Sequence, residues 1–291
     1  MYMIGIDIGT TSTKAVLFRQ DGSIAVQANE GYPLDTPAPS VAEQDPDRIF
    51  GAVLHTLKQV APTASGSIQF LSFSSALHSV IAVDADGNPL TRCITWGDNR
   101  SAPWSDRLKR EPEGLRIYRR TGTPIHPMSP LIKLMWLRDD HPELFRAGNK
   151  FISIKEYVIA KLYGEYVVDY SLASATGLMD LEKLDWDEEA LQLAGITRRH
   201  LSRLVPTTYS LQGLNRVYAA ETGLAASTLC VVGAGDGMLS NLGLGAIEPG
   251  VVAATIGTSG AIRTVVDRPA TDPQGRTFCY ALTERHWVVG G

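Results

Sequence analysis

The stretch "IGIDIGTTSTKAVLF", residues 4–18, sets an aspartate, two glycines, four hydroxyl side chains and a lysine between two apolar runs. Ile4, Ile6 and Ile8 alternate with Gly5, Asp7 and Gly9, and the apolar run resumed at Ala15 continues past Asp21-Gly22 into "SIAVQ". Alternation of period two bounded by glycine turns predicts strands joined by hairpins. The turn holding Gly9, Thr10, Thr11, Ser12, Thr13 and Lys14 offers open backbone N–H groups, hydroxyl donors and one cation, an inventory that suits phosphate oxygens. Asp7, on the first strand just before the turn, points the same way and would hold a hydrated Mg2+ beside the phosphates. An ordinary polar hairpin is the competing reading, since Gly and Thr are common in turns.

The chain of 291 residues is long enough for a full core and predicts more than one domain. With 44% hydrophobic and 20% charged residues it has the composition of an ordinary globular protein. The net charge of -4 and the scattered Lys and Arg give no basic stripe for nucleic acid or an anionic membrane surface. Cys93, Cys230 and Cys279 are odd in number and far apart, which argues against a disulfide framework and a zinc site and fits a reducing compartment. No basic leader and no apolar run of membrane-spanning length stands out, so the expectation is a cytoplasmic protein.

Asp45-Pro46 followed by Ile49, Val53, Leu54, Leu57 and Val60 is an N-cap, a first-turn proline and an apolar stripe of helical period. "IQFLSFSSALHSVIAVD" gives two strands with His78 between them, and "CITWGDNRS" carries the Trp96 to Arg100 cluster at a loop end. The segments "SPLIKLMWLRDDHPELF", "KEYVIAKLYG", "WDEEALQLAG" and "NRVYAAETG" read as helices, the last three closing at Gly164, Gly195 and Gly223. "TGTPIHPMS" and "VVDYSLASATG" read as loops or short strands. "TLCVVGAGDGMLSNLGLGAIEPG" reads as a buried strand, a glycine-rich turn and a helix, after which Pro249-Gly250 punctuates the chain.

The segment after this glycine repeats the opening of the chain. In "VVAATIGTSGAIRTVV", residues 251–266, Ile256-Gly257-Thr258-Ser259 echoes Ile8-Gly9-Thr10-Thr11, with Gly257 lying 248 positions after Gly9 and Arg263 near where Lys14 would fall. A strand-turn-strand unit recurring at that distance predicts a duplicated architecture whose two hairpins would clamp a triphosphate across a cleft. Competing motifs fail: G-x-x-x-x-G-K-[ST] and G-x-S-x-G are absent, and Met238 stands where G-x-G-x-x-G needs its third glycine, leaving a dinucleotide fold as the runner-up.

Together "GIDIGTTSTKAVLF", "WGDNR", "DYSLASATG", "GAGDGMLSNLG" and "TIGTSGAIR" resemble the FGGY carbohydrate kinases, and within them the gluconate-acting branch, over the whole length. The resemblance implies an α/β fold of the actin and hexokinase type, ribonuclease H-like and duplicated, that transfers the ATP gamma-phosphoryl group to a sugar hydroxyl. It implies that Gly9, Thr10, Thr11, Ser12 and Lys14 hold phosphates with Asp7 assisting Mg2+, and that Gly257, Thr258 and Ser259 form a second phosphate loop. Asp236 matches the catalytic base, and His78, Trp96, Asp98 and Arg100 match sugar contacts. The implied small-molecule partners are a sugar acid and MgATP.

The residues by themselves leave alternatives open. Asp236 suits a base because flanking glycines let backbone and substrate approach closely, and a weakly nucleophilic hydroxyl needs a positioned carboxylate; a helix cap is the other common job for Asp there. His78 reads equally as a structural histidine, Arg100 as an ion-pair partner, Trp96 as core, and Asp169 as a hydrogen-bond anchor. A sugar acid's carboxylate calls for a cation, for which Arg100, Lys155, His78 and His126 are candidates. If the second half mirrored the first, roughly 200 residues would follow the second hairpin. The expectation is therefore a complete first domain over 1–248 and only the opening strands of a second over 249–291, a truncated chain with little activity alone; a kinase for another sugar or polyol such as xylulose, or a non-catalytic sugar-binding fragment, are the alternatives. Strands 251–256 and 261–266, lacking their helices, are expected to expose an apolar face and to favour self-association or disorder.

Overall fold

The computed structural model describes residues 1–248, 250–256 and 260–291. Its first sheet follows from the opening alternation. Strands β1 (Tyr2–Ile8), β2 (Ser12–Arg19) and β3 (Ile24–Gly31) form an antiparallel meander. β4 (Ile68–Ser75) joins β1 in parallel, and two later strands, β5 (Ser210–Leu211) and β6 (Leu229–Gly235), extend the sheet to the order β5-β6-β4-β1-β2-β3. Ile4, Ile6 and Ile8 are at most 1% exposed and turn toward helix α1 (Pro46–Val60), whose Ile49, Val53, Leu57 and Val60 form the facing stripe. Asp45 caps α1 by accepting from the N–H groups of Asp47 and Arg48, as the Asp-Pro pair predicts.

The middle of the chain is helical: α2 (Ala102–Arg110), α3 (Pro112–Thr121), α4 (Pro130–Asp140), α5 (Pro142–Ala147), α6 (Ile154–Tyr163), α7 (Tyr170–Ser174), α8 (Glu188–Ala194) and α9 (Arg216–Thr222). Helices α6, α8 and α9 stop at the expected glycines in left-handed conformation. Three helices add to the sequence reading. α2 buries only Ser105 and Leu108 and carries no broad apolar stripe, α3 follows it after a single residue, and α7 turns part of a segment expected as loop or strand into a short helix capped by Asp169.

A last helix, α10 (Asp236–Gly243), follows β6 directly. Beyond it a second, antiparallel sheet has the order β7-β8-β10-β9, built from β7 (Val252–Ile256), β8 (Gly260–Val266), β9 (Phe278–Ala281) and β10 (Trp287–Gly290). Strands β9 and β10 and the end of β8 are well covered: Cys279, Ala281 and Trp287 enter the core of α3, α4, α7 and α8, and Tyr280, Val288 and Val265 pack with Ala175 and Met238. The expected exposure is concentrated on β7 and the start of β8, where Val252 is 56%, Ile256 92% and Ile262 62% exposed. Cys93 and Cys230 lie in the core under the first sheet and Cys279 in the helical core, all three buried with free thiols. Among the described residues no helix is long and apolar enough to cross a membrane.

One irregularity aims the end of the first sheet. The pairing of β6 with β4 slips between Val231 and Ala234, and Gly233 takes a φ of 73° there. A Cβ on Gly233 would fall 1.9 Å from the Phe73 carbonyl oxygen, so both the backbone angle and the space admit only glycine. Gly22, with a φ of 82° in an open turn, has nothing within 4 Å of such a Cβ and isolates the cost of the angle alone. Urea unfolding should therefore show Gly22→Ala destabilised by about 1 kcal/mol and Gly233→Ala by about 3 kcal/mol or more. Equal losses in the two variants would mean that β6 is not pressed against β4 as described.

Candidate functional site

Because the isoleucines of β1 take the core side, Asp7 is left on the opposite face of the sheet. Lys14 is its partner across the hairpin and Ser74 its neighbour on β4. The Ser74 hydroxyl donates to Asp7 Oδ1 at 2.7 Å, and Asp7, Lys14, Ser72, Ser74 and Leu239 of α10 line one open cavity of about 230 Å3. The period-two pattern of "IQFLSFSS" carries the signal for Ser74, since it places Ser72 and Ser74 on the face away from Leu71 and Phe73.

The turn between β1 and β2 is fixed by its carbonyls. Tyr32 Oη donates to the Gly9 oxygen at 2.7 Å, Gln44 Nε2 to the Thr10 oxygen at 2.7 Å, and the Tyr32 N–H to the Thr11 oxygen at 3.1 Å. The Gly9 N–H closes the turn on the Ser12 oxygen at 3.0 Å. Among the described residues no protein acceptor takes the N–H of Thr10 or Thr11. The turn thus spends its acceptors on the protein and keeps donors and the exposed Lys14 for an anion. Gly257, Thr258 and Ser259, the expected second phosphate loop, lie outside the described residues.

Asp236 is the first residue of α10, and the cap position itself belongs to Gly235, whose N–H donates to Ser171 Oγ at 3.0 Å. Asp236 Oδ1 accepts from the Gly237 N–H at 2.7 Å while the side chain stays open to the cleft. The surrounding protein mass, and then the negative charge of Asp7, push its carboxyl above the usual range, and Arg263 opposes that rise. Arg263 reaches in from β8: its Nε would lie 3.3 Å from a Cβ on Gly237, and its Nη1 donates to Thr255 Oγ1 at 3.2 Å. Asp7 and Lys14 thus line the cavity beside α10, and Asp236 stands near enough to feel the charges of both Asp7 and Arg263.

The expected sugar contacts divide into two kinds. Trp96 is 51% exposed, and its indole N–H donates to Thr10 Oγ1 at 3.0 Å, tying the 96–100 loop to the turn between β1 and β2. His78 sits just beyond the end of β4 with a φ of 67°, its Nδ1 donating to the Ala175 oxygen at 2.8 Å, which leaves Nε2 as an acceptor. Burial, with the Lys133 charge behind it, pushes His78 down to about 3, so it is neutral near pH 7 and supplies no charge for a carboxylate. Lys133 Nζ donates to the oxygens of His78 and Met128, each at 2.7 Å, and holds this bend from below.

Asp98 and Arg100 are bound to the protein. Asp98 is fully buried, accepting from the Ala42 N–H and from Arg100. Arg100 also pairs with Glu43 and lies 4.5 Å over the Trp136 ring, with a partly exposed remainder. Lys155 is sealed in a buried pair with Asp169, at 2.6 Å a charge contact outside hydrogen-bond alignment. It is therefore no free cation for a substrate. His126 is exposed, and its Nδ1 accepts from the Met128 N–H. The side chains that the sequence does not single out, Tyr32, Gln44, Glu43, Lys133 and Ser171, are all positioned from distant segments.

Residues 2–243 match the N-terminal domain of the FGGY family of carbohydrate kinases. The chain is 56% identical over all its 291 residues to a gluconokinase of Bacillus subtilis strain 168, and spans 57% of that relative's length. Its structure is similar to a gluconate kinase from Lactobacillus acidophilus, with a TM-score of 0.98 and 39% identity, covering 100% of this chain and 59% of the other. It is also similar to a ligand-bound xylulose kinase from Lactobacillus acidophilus, with a TM-score of 0.97, 39% identity and the same coverage.

The depressed His78 gives a pH test of the geometry. Below about pH 6.5 an unfolded chain protonates this histidine and the native one does not, so its contribution is present above that pH and is lost as pH falls toward 3. His78→Asn, which tolerates the left-handed backbone, should lose about 1–2 kcal/mol less stability than the parent between pH 7 and pH 5 in urea titrations. Parallel losses in both proteins would place a solvated, freely titrating imidazole at this position.

Proposed function

Since this chain belongs to the FGGY family of carbohydrate kinases, we propose that its protein transfers the gamma-phosphoryl group of ATP to the terminal hydroxyl of D-gluconate, giving 6-phosphogluconate and ADP. The observation that carries the reading is the exposed Asp236 at the start of α10, within reach of the charges of Asp7 and Arg263 and next to the cavity that Asp7 and Lys14 line with Leu239 of the same helix, where an acceptor hydroxyl and a phosphate chain would meet. The identity to a gluconokinase over the full chain supports the choice of sugar.

In this reading the acceptor O–H gives its proton to the Asp236 carboxylate as its oxygen bonds to the gamma phosphorus and the bond to the ADP oxygen breaks. Lys14 and the donors of Thr10, Thr11 and Ser12 take phosphate charge, and Gly257, Thr258 and Ser259 complete the clamp from the other side. A divalent cation, Mg2+, fits the donor set: Asp7 offers one carboxylate, steadied by Ser74. A single protein carboxylate with substrate phosphates is a usual share for that ion, which would neutralise phosphate charge. His78 Nε2 would accept from a sugar hydroxyl, Trp96 would wall the sugar, and Asp98 would serve by holding Arg100, the cation for the substrate carboxylate. Residues 1–248 form the sugar-binding domain and 249–291 open the ATP-binding domain. A cytoplasmic setting belongs to the same reading, which fits three buried free thiols.

A second reading keeps the chemistry and changes the acceptor to a ketose such as xylulose, favoured by the equally similar xylulose kinase structure. A coupled assay of the complete gene product against a sugar panel separates them: turnover is expected with gluconate, and a strong preference for xylulose overturns the choice. In the same assay Asp236→Asn should lower kcat at least about a hundredfold with little change in KM for ATP. The acid limb of kcat/KM should lie above the ordinary carboxylate range, because the raised Asp236 must be ionised to act. A near-normal kcat in the variant would return Asp236 to a merely structural place in the first turn of α10.

A further inference from the structure

Trp96 has an exposed ring and a committed N–H. Its only described tie of that N–H is to Thr10 Oγ1 at 3.0 Å, 86 residues earlier in the chain. The rest of its loop is anchored elsewhere, through Asp98 to the Ala42 N–H, the Thr95 N–H to the Ala42 oxygen, and Arg100 to Glu43. Thr10 is gripped from a second side by Gln44 Nε2 on its carbonyl. A hydroxyl oxygen that accepts on one side keeps its own O–H to donate on another, and accepting polarises that O–H. The Thr10 hydroxyl is thus prepared as a donor by the same indole whose ring stands half exposed beside the Gly9-Thr10 turn.

Resting on the sugar-kinase reading, we propose that Trp96 is a positioning residue that couples the two subsites: a sugar against its ring and a phosphate accepting from Thr10 stabilise the same indole placement. Each ligand then raises the affinity for the other by the same factor, as linkage requires. The link is one neutral hydrogen bond, which sets the size of the effect at about five- to tenfold in affinity. A bond that only fastens the loop would contribute to stability and leave the two affinities independent.

Calorimetric titration of the complete gene product with gluconate, with and without Mg2+ and a non-hydrolysable ATP analogue, reads the coupling directly. The parent should bind gluconate about five- to tenfold more tightly with the analogue present. Trp96→Phe, which keeps a ring and removes the donor, should reduce that factor to about twofold or less, while Thr10→Ser, which keeps the hydroxyl, should retain it. Retention of the full factor in Trp96→Phe, its loss in Thr10→Ser, or its absence in the parent overturns the proposal. A fall in the Tm of Trp96→Phe with the factor intact does so as well, leaving only a fastening. If xylulose binds and gluconate does not, the substrate reading fails and the factor is read with xylulose; binding of neither sugar overturns both.

Discussion

A strand with three isoleucines at alternate positions has one side that must be kept from water. In β1 that side is filled by α1, and the requirement fixes everything on the other: Asp7 can point only to the open face, and the register of the hairpin then sets Lys14 opposite it and Ser74 beside it. A slip of one residue would bury the carboxylate and expose the isoleucines. The placement of charge in the cleft is thus enforced by hydrophobic burial on the far side of the sheet, not by any attraction among the charged groups.

The same economy recurs where the chain bends. The bulge at Gly233 lets β6 run against the backbone of β4 and delivers Asp236 at the start of α10. The left-handed bend at His78 is held by the buried Lys133, whose ammonium sits on two carbonyl oxygens and is pushed down to about 7 by burial. Lys155 and Asp169 hold each other inside, so that helix α6 and the start of the short helix α7 keep a fixed distance. Backbone groups and enclosed charges of this kind are expensive to leave unmatched, which makes them good fixtures for a site that must not relax.

What can be read in the sequence is what repeats locally. The hairpin of residues 4–18 shows its period of two, α1 shows its Asp-Pro start and stripe, and α6, α8 and α9 show their terminal glycines. The strand-turn-helix around Asp236 is legible for the same reason. Helix α2 escapes such a reading because it buries only Ser105 and Leu108, and α3 because two of the four residues on its buried face, Gly114 and Thr121, carry no apolar signature. The fixtures of the turn between β1 and β2 escape it for a different reason. Tyr32, Gln44 and Trp96 reach it from 23, 34 and 86 positions away, and a long-range partner leaves no mark on its own neighbourhood. Lys155 reads as a free cation because its counter-charge, Asp169, stands in a separate segment further along the chain.

The three cysteines divide the molecule in a way that can be exploited. Cys93 and Cys230 lie under the first sheet and Cys279 joins the second sheet to the helical core, and burial pushes their thiols up to about 12, 12 and 11. A thiol so enclosed is shielded from alkylating reagents and scarcely ionised at neutral pH. Each becomes reactive only when its own surroundings open, so the labelling rates of Cys93 and Cys230 follow the opening of the first core and that of Cys279 the opening of the helical core beneath the second sheet. The native sequence therefore carries its own set of reporters, with which the opening of the two sheets can be timed separately and without substituting a single residue.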